Sequence, residues 1–594
     1  MFVRTKTTPY NKTKVQIVRS VREGDKVRQK MVRHLGTAGS DEELHQLRVL
    51  GQTIIERLRQ TDSPQQSLLS PQQHAELYEH SRAALLAARK AKKQERFGVD
   101  VAECREIARV GAGIREAMSE MVRQMGWERL LGARRMSGNR ILNELILARL
   151  AQPLSKRATV RELKEHEDVS LNLDRVYRTM DYLDDPLIDR IRQQSLEAAK
   201  KLYDESISVV FYDTTTLWFA SEREDDEEPQ DKREAGIRYK GYSKDGKPHR
   251  VQVMLALLVN ADGIPMGYEL FPGNTVEVTT LVSAIEQLQK NHPGVCFTLV
   301  ADAGMISKDN EALLRDRGIP YVLGARLKVQ KAGVKEWILD EEGFLPWETD
   351  SSTRKPKSKR YKVRTVDEAQ LIVTHCDRRA RKDARLREKQ VTKLKKKLEK
   401  SGTPASLNTS GHARFLSFPD GRVELNEDKI AEAQRWDGLH GIKAWGLDDQ
   451  APQSLIQQYH LRWEIEACFR TNKHDLKIRP IFHWKPRRIR AHIAICYMAF
   501  CCLQHLRHRL KLLGYPMSPN EIRRALNGLQ FSILVQKGTG KQFAIPSSST
   551  AEANRIYRCL GLKWNEAPFP VPIKPPKKPK KSKPKSKLKS KTPP

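Results

Sequence analysis

The pattern of hydrophobic and polar positions separates a β region from helical regions in the first part of the chain. Apolar and basic residues alternate through VQIVRSV and VRQKMVRHL, on either side of EGDK, which predicts a β-hairpin over residues 13–35. Residues 41–95 are polar with a helical pattern. From residue 98 to 203 apolar positions recur at i, i+3 and i+4, so this stretch is expected to be all-helical.

The pattern changes to strands after residue 203. SISVVFYDTTTLWF predicts a strand with Asp213 near its end, and CFTLVADAG predicts a buried strand that ends at Asp302. Two strands joined at ADG lie between them, and a further strand, IPYVLGARL, follows. The order strand, strand, strand, helix, strand, helix, strand predicts a mixed α/β sheet with acidic residues at strand ends. The acidic stretch SEREDDEEPQD is expected to be a solvated, disordered loop.

The alternation breaks between residues 329 and 450. Short strand candidates, RYKVRTV, AQLIVTHC and RVELN, are mixed with the very basic helix RRARKDARLREKQVTKLKKKLEK, which indicates an insertion that interrupts the sheet domain. A helical pattern returns at Ala451. The apolar run IAICYMAFCCL, residues 493–503, is too short to span a bilayer and fits a buried helix. A small hairpin is predicted around KGTG in residues 530–545.

Charge points to a polyanionic partner. The 594 residues include 107 Lys and Arg against 73 Asp and Glu, a formal net charge of +34, which favours nucleic acid first and an anionic membrane surface second. The basic face of the N-terminal hairpin suits a DNA backbone, although an ordinary solvated strand face explains it equally well. Eight scattered cysteines and an N-terminus without an apolar segment predict a soluble, intracellular protein with reduced thiols.

The stretch YHLRWEIEACFRTNK, residues 459–473, carries charged groups beside packing residues. If it forms one helix, steps of three, four and seven place a phenol, a guanidinium, a carboxylate and an ammonium group on one stripe: Tyr459, Arg462, Glu466 and Lys473. Trp463 and Phe469 are then expected to anchor the neighbouring edge in the core. An Arg and a Glu at i and i+4 are most often a surface pair, but the full spacing is more informative.

That spacing resembles the YREK signature of bacterial insertion-sequence DDE transposases. FYDTT around Asp213 resembles the first catalytic aspartate of this family, and LVADAGM around Asp302 resembles the second. RIRAHI, residues 488–493, is similar to the basic helix that follows the signature. In the subgroup that the chain resembles, a β-rich segment lies between the last core strand and the helix with the glutamate, and this sequence has room for one.

The resemblance implies a fold and a division of the chain. The fold class is α/β, an RNase H-like mixed sheet core interrupted by a β-rich insertion, with an N-terminal mainly helical region. The N-terminal segments are expected to be a basic β-hairpin (residues 1–40) and a helical DNA-end-binding or dimerisation region (residues 41–203). The core is expected in two parts (residues 204–328 and 451–510), separated by the insertion with its basic helix (residues 329–450). A C-terminal helix and hairpin region (residues 511–565) and a disordered Lys/Pro tail (residues 566–594) are expected to follow.

The resemblance also implies a mechanism. Asp213, Asp302 and Glu466 are the expected catalytic residues and metal ligands, and their oxygens suit two Mg²⁺ ions, with Mn²⁺ as a substitute. Water releases the 3′ end at each transposon terminus, and the freed 3′-hydroxyl then attacks DNA. Arg462 and Lys473 are expected to grip phosphates, while Tyr459 bonds to or packs beside the same backbone.

The implied partner is double-stranded DNA, both transposon terminal inverted repeats and target DNA. Two ends must be held together, so a homodimer in a synaptic complex is expected, cytoplasmic and nucleoid-associated in a bacterium, without a membrane partner. Two alternatives stay open from the sequence: a catalytically inactive DNA-binding derivative of a transposase, and an RNase H-like nuclease that cuts without strand transfer.

Overall fold

A computed structural model of the chain describes most of the protein. The described residues are 1–7, 13–23, 26–38, 44–45, 47–49, 51–52, 55, 101–167, 169–202, 208–227, 235–291, 296–305, 307–347, 359–400, 413–417 and 423–571. Most of the helical pattern predicted for residues 41–95, and the Lys/Pro tail from residue 572 onward, lie outside them.

The N-terminus forms a small antiparallel sheet. Its strands are β1 (Phe2–Thr7), β2 (Thr13–Glu23) and β3 (Lys26–Ala38). The pairing of β2 with β3 confirms the predicted hairpin, and β1 adds a third strand along β2. Val15 and Ile17 are fully buried, because alternate residues of β2 point to the same face.

The next region is mainly helical but begins with a strand. It contains β4 (Cys104–Gly111), α1 (Gly113–Gln124), α2 (Met136–Ala151), α3 (Lys156–His166), α4 (Leu173–Asp181) and α5 (Asp185–Leu202). The expectation of an all-helical region is therefore wrong at β4. The partner of β4 is a strand beginning at Gln530, far along the chain, so local periodicity does not reveal it.

The central sheet starts with five strands in the predicted order. They and their two helices are β5 (Val209–Trp218), β6 (Gln252–Asn260), β7 (Pro265–Pro272), α6 (Thr280–Asn291), β8 (Thr298–Ala301), α7 (Lys308–Asp316) and β9 (Tyr321–Ala325). β5, β6 and β7 are antiparallel neighbours, while β8 lies parallel to both β5 and β9. The spatial order β7-β6-β5-β8-β9 places β5 at the centre.

Residues after β9 extend the same sheet. They form α8 (Ala332–Leu339), β10 (Leu345–Pro346), β11 (Lys359–Val366), β12 (Ala369–Cys376), α9 (Asp377–Lys400), β13 (Leu416–Ser417), β14 (Glu424–Leu425), α10 (Glu427–Gln434) and β15 (Leu439–Trp445). β15 pairs antiparallel with β9 and with β12, so the nine strands run β10-β11-β12-β15-β9-β8-β5-β6-β7. The strands of residues 329–450 thus continue the same sheet beyond β9.

The C-terminal part returns to helices and a second sheet. Its elements are α11 (Pro452–His460), α12 (Trp463–Arg470), α13 (Pro486–Leu512), α14 (Pro519–Asn527), β16 (Gln530–Gln536), β17 (Gln542–Pro546), α15 (Ala551–Cys559) and β18 (Phe569–Val571). β16 and β17 confirm the hairpin predicted around KGTG. They join β4 and β18 in a four-stranded sheet, so the expected disordered tail does not begin at residue 566.

The helix α13 is the centre of the hydrophobic core. All eleven residues 493–503 are buried, as predicted, and they share one cluster with α2 and with the inner face of the central sheet. Among the described residues, α13 is the one helix long and apolar enough to cross a membrane by length and composition. However, 94% of its most apolar window is buried inside the protein, which is typical of a core helix.

Candidate active site

Two aspartates lie at the same level of two neighbouring parallel strands, one within β5 and one directly after β8. The register of β5 and β8 runs from Val209 opposite Thr298 to Tyr212 opposite Ala301, and the next position brings Asp213 beside Asp302. Asp302 follows the last residue of β8, as predicted. Asp213 was expected near the end of its strand, but β5 continues to Trp218 because β6 pairs with it over that length. Asp213 therefore lies where the parallel pairing with β8 ends.

The carboxylate of Asp213 is largely enclosed. It accepts the backbone N–H of Thr214 at 2.8 Å, and the ammonium group of Lys244 lies 3.7 Å from its Oδ1. Burial raises the pKa of Asp213 to about 6, although Lys244 and the Thr214 N–H oppose that rise. The site therefore favours an added positive charge beside this carboxylate.

Asp302 is held by three donors. Its Oδ1 accepts the N–H of Ala303 at 2.7 Å and the phenol of Tyr459 at 3.3 Å, and it forms an ion pair with Arg462. Burial would raise the pKa of Asp302, but the Arg462 charge and these hydrogen bonds outweigh burial and lower that pKa below its usual value. Asp302 is therefore an ionised carboxylate at neutral pH.

The signature stretch is not one continuous helix. α11 ends at His460, α12 begins at Trp463, and a π-helical turn covers Thr471–Asp475. The bonds at the break span three residues, such as Arg462 N–H to the Tyr459 carbonyl at 3.2 Å, so the chain tightens locally into 3₁₀ geometry. The single stripe expected from an ideal helix is wrong for this reason.

Three signature residues nevertheless stay together. The Arg462 guanidinium lies 5.0 Å from the centre of the Tyr459 ring, and its Nη2 is 3.6 Å from Glu466 Oε1. Arg462 thus connects Asp302 on one side with Glu466 on the other. The Glu466 side chain is 57% exposed and faces solvent at the edge of this cluster.

The two expected packing residues differ. Phe469 is buried, as predicted, but Trp463 is 56% exposed. The tightened turn before Trp463 rotates the beginning of α12 relative to α11, so this side chain does not reach the core.

Lys473 lies apart from the other signature residues. Its Nζ is 3.1 Å from Asp245 Oδ1, and Arg479 pairs with the other oxygen of the same carboxylate. Burial lowers the pKa of Lys473, while Asp245 opposes that effect. Lys473 therefore belongs to a second charged group, two cations around one acid, that is separate from the contacts of Asp302 and Arg462.

Two residues of the site, Lys244 and Glu277, have no signature in the sequence. Lys244 donates to the Thr214 carbonyl at 2.9 Å and contacts Glu277, which in turn accepts the Thr214 hydroxyl at 2.6 Å. Lys244 lies in a turn and Glu277 begins a short 3₁₀ helix, so no local pattern distinguishes them. They reach Asp213 only because β6 and the segment before α6 fold back beside β5.

The acidic stretch after β5 also differs from expectation. Asp225 is 1% exposed, accepts the N–H groups of Ile237 at 2.6 Å and Arg238 at 2.9 Å, and forms an ion pair with the Arg238 side chain, which is equally buried. Asp225 is therefore a buried ion-pair partner and not part of a solvated loop, while residues 228–234 lie outside the described part.

The acids fit a divalent ion by their chemistry. Carboxylate oxygens are the hard ligands that Mg²⁺ and Mn²⁺ prefer, and cationic side chains already lie against Asp213 and Asp302. Among the described residues, one group of three has all its ligand atoms within 4.8 Å of one another, the surface group Glu162, Glu165 and His166 on α3. The carboxylate oxygens of Asp213, Asp302 and Glu466 do not all lie within 4.8 Å of one another.

Family comparisons agree with the signature. The family described as Transposase DDE domain matches residues 204–502, half of the chain, and the IS1634 family transposase N-terminal domain matches residues 3–66. No curated protein matches the chain.

Two solved structures overlap loosely with it. A piggyBac transposase synaptic complex with hairpin DNA is 11% identical, with 70% of this chain and 77% of that chain covered and a TM-score of 0.36. The Mos1 transposase paired-end complex with left transposon end is 14% identical, with 33% and 60% covered and a TM-score of 0.13. Neither overlap is close enough to establish a shared fold.

Proposed function

The chain belongs to the Transposase DDE domain family and is a DDE-type DNA transposase, and from that premise we propose that Asp213, Asp302 and Glu466 are its catalytic triad. The observation that carries this assignment is the parallel register, which sets Asp213 beside Asp302. Arg462 supports it further, because it contacts both Asp302 and Glu466 and so ties the helical acid to the strand acids.

We assign the five strands β7-β6-β5-β8-β9 to an RNase H-like core. Three antiparallel strands followed by two parallel ones support this assignment. Strands β10, β11, β12 and β15 then form the β-rich insertion between the last core strand and Glu466. Residues 41–203 remain the proposed region for end binding and dimerisation.

Transposases of this family generally use divalent metal ions. In this chain Asp213, Asp302 and Glu466 would hold two Mg²⁺ ions, with Mn²⁺ as a substitute. The bound ions would activate a water or hydroxyl group and relieve the charge on the leaving oxygen. The chain itself orients Asp302 through the Tyr459 hydroxyl and the Ala303 N–H.

Phosphate binding is assigned to Arg462 and Lys473. A guanidinium makes a forked contact with a phosphate, whereas an ammonium group acts as a point charge. Each now neutralises a carboxylate, Asp302 and Asp245 respectively, and each can exchange that partner for DNA. Tyr459 is buried under Arg462, so we assign it to support the site from below, with its hydroxyl on Asp302.

A second DNA-contacting surface is proposed on α9. Six exposed cations follow one another at steps of four, three, four, four and three residues and form a straight row, the basic stripe: Arg378, Lys382, Arg385, Lys389, Lys393 and Lys396. The opposite face packs through Leu394 and Val391 against Phe415 and Leu416. At about 1.5 Å per residue the stripe is about 27 Å long, which suits the phosphates of a duplex.

The proposed partners follow from these surfaces. They are the terminal inverted repeats of the transposon and the target duplex, held by a homodimer in a synaptic complex. The proposed location is the bacterial cytoplasm, at the nucleoid, since a formal charge of +34 attracts the chain to DNA.

The test compares two glutamates on α12. Glu466→Gln should abolish cleavage of a duplex that carries the inverted repeats flanking the coding region, in Mg²⁺, while leaving binding of that duplex largely intact. Glu464→Gln is the matched control, because Glu464 lies near Lys511 and Arg507 rather than near Asp302. Wild-type cutting by Glu466→Gln would refute the triad.

The products of the wild-type protein decide between the alternatives. Joined strands identify transposition, nicks that are never joined identify a nuclease, and binding without cutting identifies an inactive derivative.

A further inference from the structure

One turn carries two oppositely charged side chains, one of which contacts acids of the site and the other cations. The turn Ser243–Lys247 is closed by the Gly246 N–H on the Ser243 carbonyl at 3.2 Å, with Gly246 at a φ of +68°. It is fixed to β5 by the N–H of Lys244, which donates to the Thr216 hydroxyl at 3.2 Å. Its central residues, Lys244 and Asp245, have opposite charges and contact opposite charges.

Lys244 stands beside the acids. Its ammonium group contacts Glu277, donates to Thr214 and lies 3.7 Å from Asp213 Oδ1, with 27% of the side chain exposed. A cation held between Asp213 and Glu277 is in the same electrostatic position as an ion bound by Asp213. It therefore competes with such an ion for the negative charge of this carboxylate.

Asp245 stands beside the cations. One of its oxygens is 3.1 Å from Lys473 Nζ, and the other pairs with Arg479. The side chains of all three are 12% to 15% exposed, so these two cations are shielded from solvent as well as neutralised. A carboxylate that bridges two cations in this way presents the same charge and oxygens as a phosphate group.

We propose that the turn Ser243–Lys247 is an internal substitute that keeps the site closed, with Lys244 in place of a divalent cation and Asp245 in place of a DNA phosphate. The inference rests on the proposed function, because it takes Asp213 as a metal ligand and Lys473 as a phosphate ligand. Because the two residues are adjacent, displacement of either one loosens the other. Metal binding and DNA binding are therefore coupled through this turn.

Asp245→Asn tests the phosphate half. With chelator present, the full-length variant should bind a DNA duplex several-fold more tightly than the wild type at low salt. The logarithmic salt dependence should become steeper by about one, because Lys473 becomes free to contact a phosphate. Asp262→Asn is the matched control, since Asp262 pairs with Lys511 at the same 3.1 Å but lies on a different loop. Binding that is unchanged or weaker in Asp245→Asn overturns this half, because Asp245 would then merely position Lys473.

Lys244→Gln tests the cation half without any DNA or cutting. The affinity for Mn²⁺, measured from the free-ion signal in electron paramagnetic resonance, should rise about tenfold. The reason is that the positive charge of Lys244, which repels the ion and competes with it for Asp213, is removed. Lys511→Gln is the control. An unchanged or lower affinity overturns the inference.

A third variant separates this inference from the triad assignment. If Asp213→Asn leaves Mn²⁺ binding unchanged, the ion lies elsewhere and the triad assignment fails as well. If Asp213→Asn abolishes Mn²⁺ binding while Lys244→Gln does not raise it, only the role of the turn is wrong. Circular dichroism of each variant monitors folding. Because Lys244 is partly exposed, Lys244→Gln is expected to fold, and it still tests the inference if Asp245→Asn does not fold.

Discussion

Gly324 on β9 is the residue whose substitution should disturb the site most directly without touching a charged group. A Cβ at this position would overlap the Tyr459 hydroxyl, and would lie 2.9 Å from the Ala303 nitrogen and 3.2 Å from Tyr459 Cζ. Both neighbours contact Asp302, through the Tyr459 hydroxyl and the Ala303 N–H. Glycine is therefore needed because the tyrosine ring crosses directly over the strand.

The magnitude follows from which atoms can move. Overpacking a buried position typically costs about 1–3 kcal/mol, and the Ala303 nitrogen cannot retreat without giving up Asp302, so Gly324→Ala should cost about 2 kcal/mol. Tyr459→Phe alone should cost about 1 kcal/mol, the usual value of one hydrogen bond. In the double variant the overlapping hydroxyl is gone and the nearest ring atom is at 3.2 Å. The double variant should therefore lose about 1 kcal/mol less free energy of unfolding than the two single variants lose in total.

The assay is urea denaturation followed by tryptophan fluorescence, with DNA cleavage measured in parallel. Gly333→Ala is the control, because a Cβ at Gly333 meets nothing within 4 Å and its backbone is helical, so alanine should be neutral or stabilising there. Full stability of Gly324→Ala, or strictly additive effects in the double variant, would refute the reasoning.

Three further predictions concern other parts of the molecule. Asp225→Ala should cost about 3–5 kcal/mol in urea denaturation, because it leaves the buried Arg238 charge without this carboxylate, and a cost under about 1 kcal/mol would contradict that. Burial lowers the pKa of Lys156 to about 7, against 10.5 in the unfolded chain. Between these two pH values the unfolded chain binds more protons than the folded chain, so the free energy of unfolding rises with pH, by up to about 1.4 kcal/mol per pH unit. Lys156→Met should remove that rise in a pH series of urea midpoints, and an unaltered pH profile would show that this lysine does not titrate as described. Lys382, Arg385 and Lys389 of the basic stripe can be replaced together with glutamine. The slope of the logarithm of DNA affinity against the logarithm of salt concentration should then become shallower by up to about 2.7. An unchanged slope would show that the stripe does not contact DNA.

The sequence predicts elements whose signals are local. The order of the five core strands, the burial of residues 493–503 and the basic helix α9 all follow from periodicity and composition within short windows. Periodicity also places Asp213 and Asp302 in or directly after apolar strands, but their selection as site residues comes from the resemblance to DDE transposases.

The features that the sequence does not reveal depend on distant pairing. β4 exists because β16 lies beside it, and Lys244 and Asp245 acquire their partners only when their turn packs on β5. The break between α11 and α12 contains neither proline nor glycine, so no residue marks it. Asp225 looks like part of a solvated acidic run until Arg238 is brought against it.

The continuation of the sheet beyond β9 affects how the protein avoids self-association. Without β15, β9 would present an open row of backbone donors and acceptors, two strands away from Asp213, to which the edge of another molecule could bind. The added strands carry the sheet instead to β10, which is two residues long and includes Pro346, a residue without an N–H to donate. The strands of residues 329–450 thus move the exposed edge of the sheet away from β5 and β8 and end it in a form that resists aggregation.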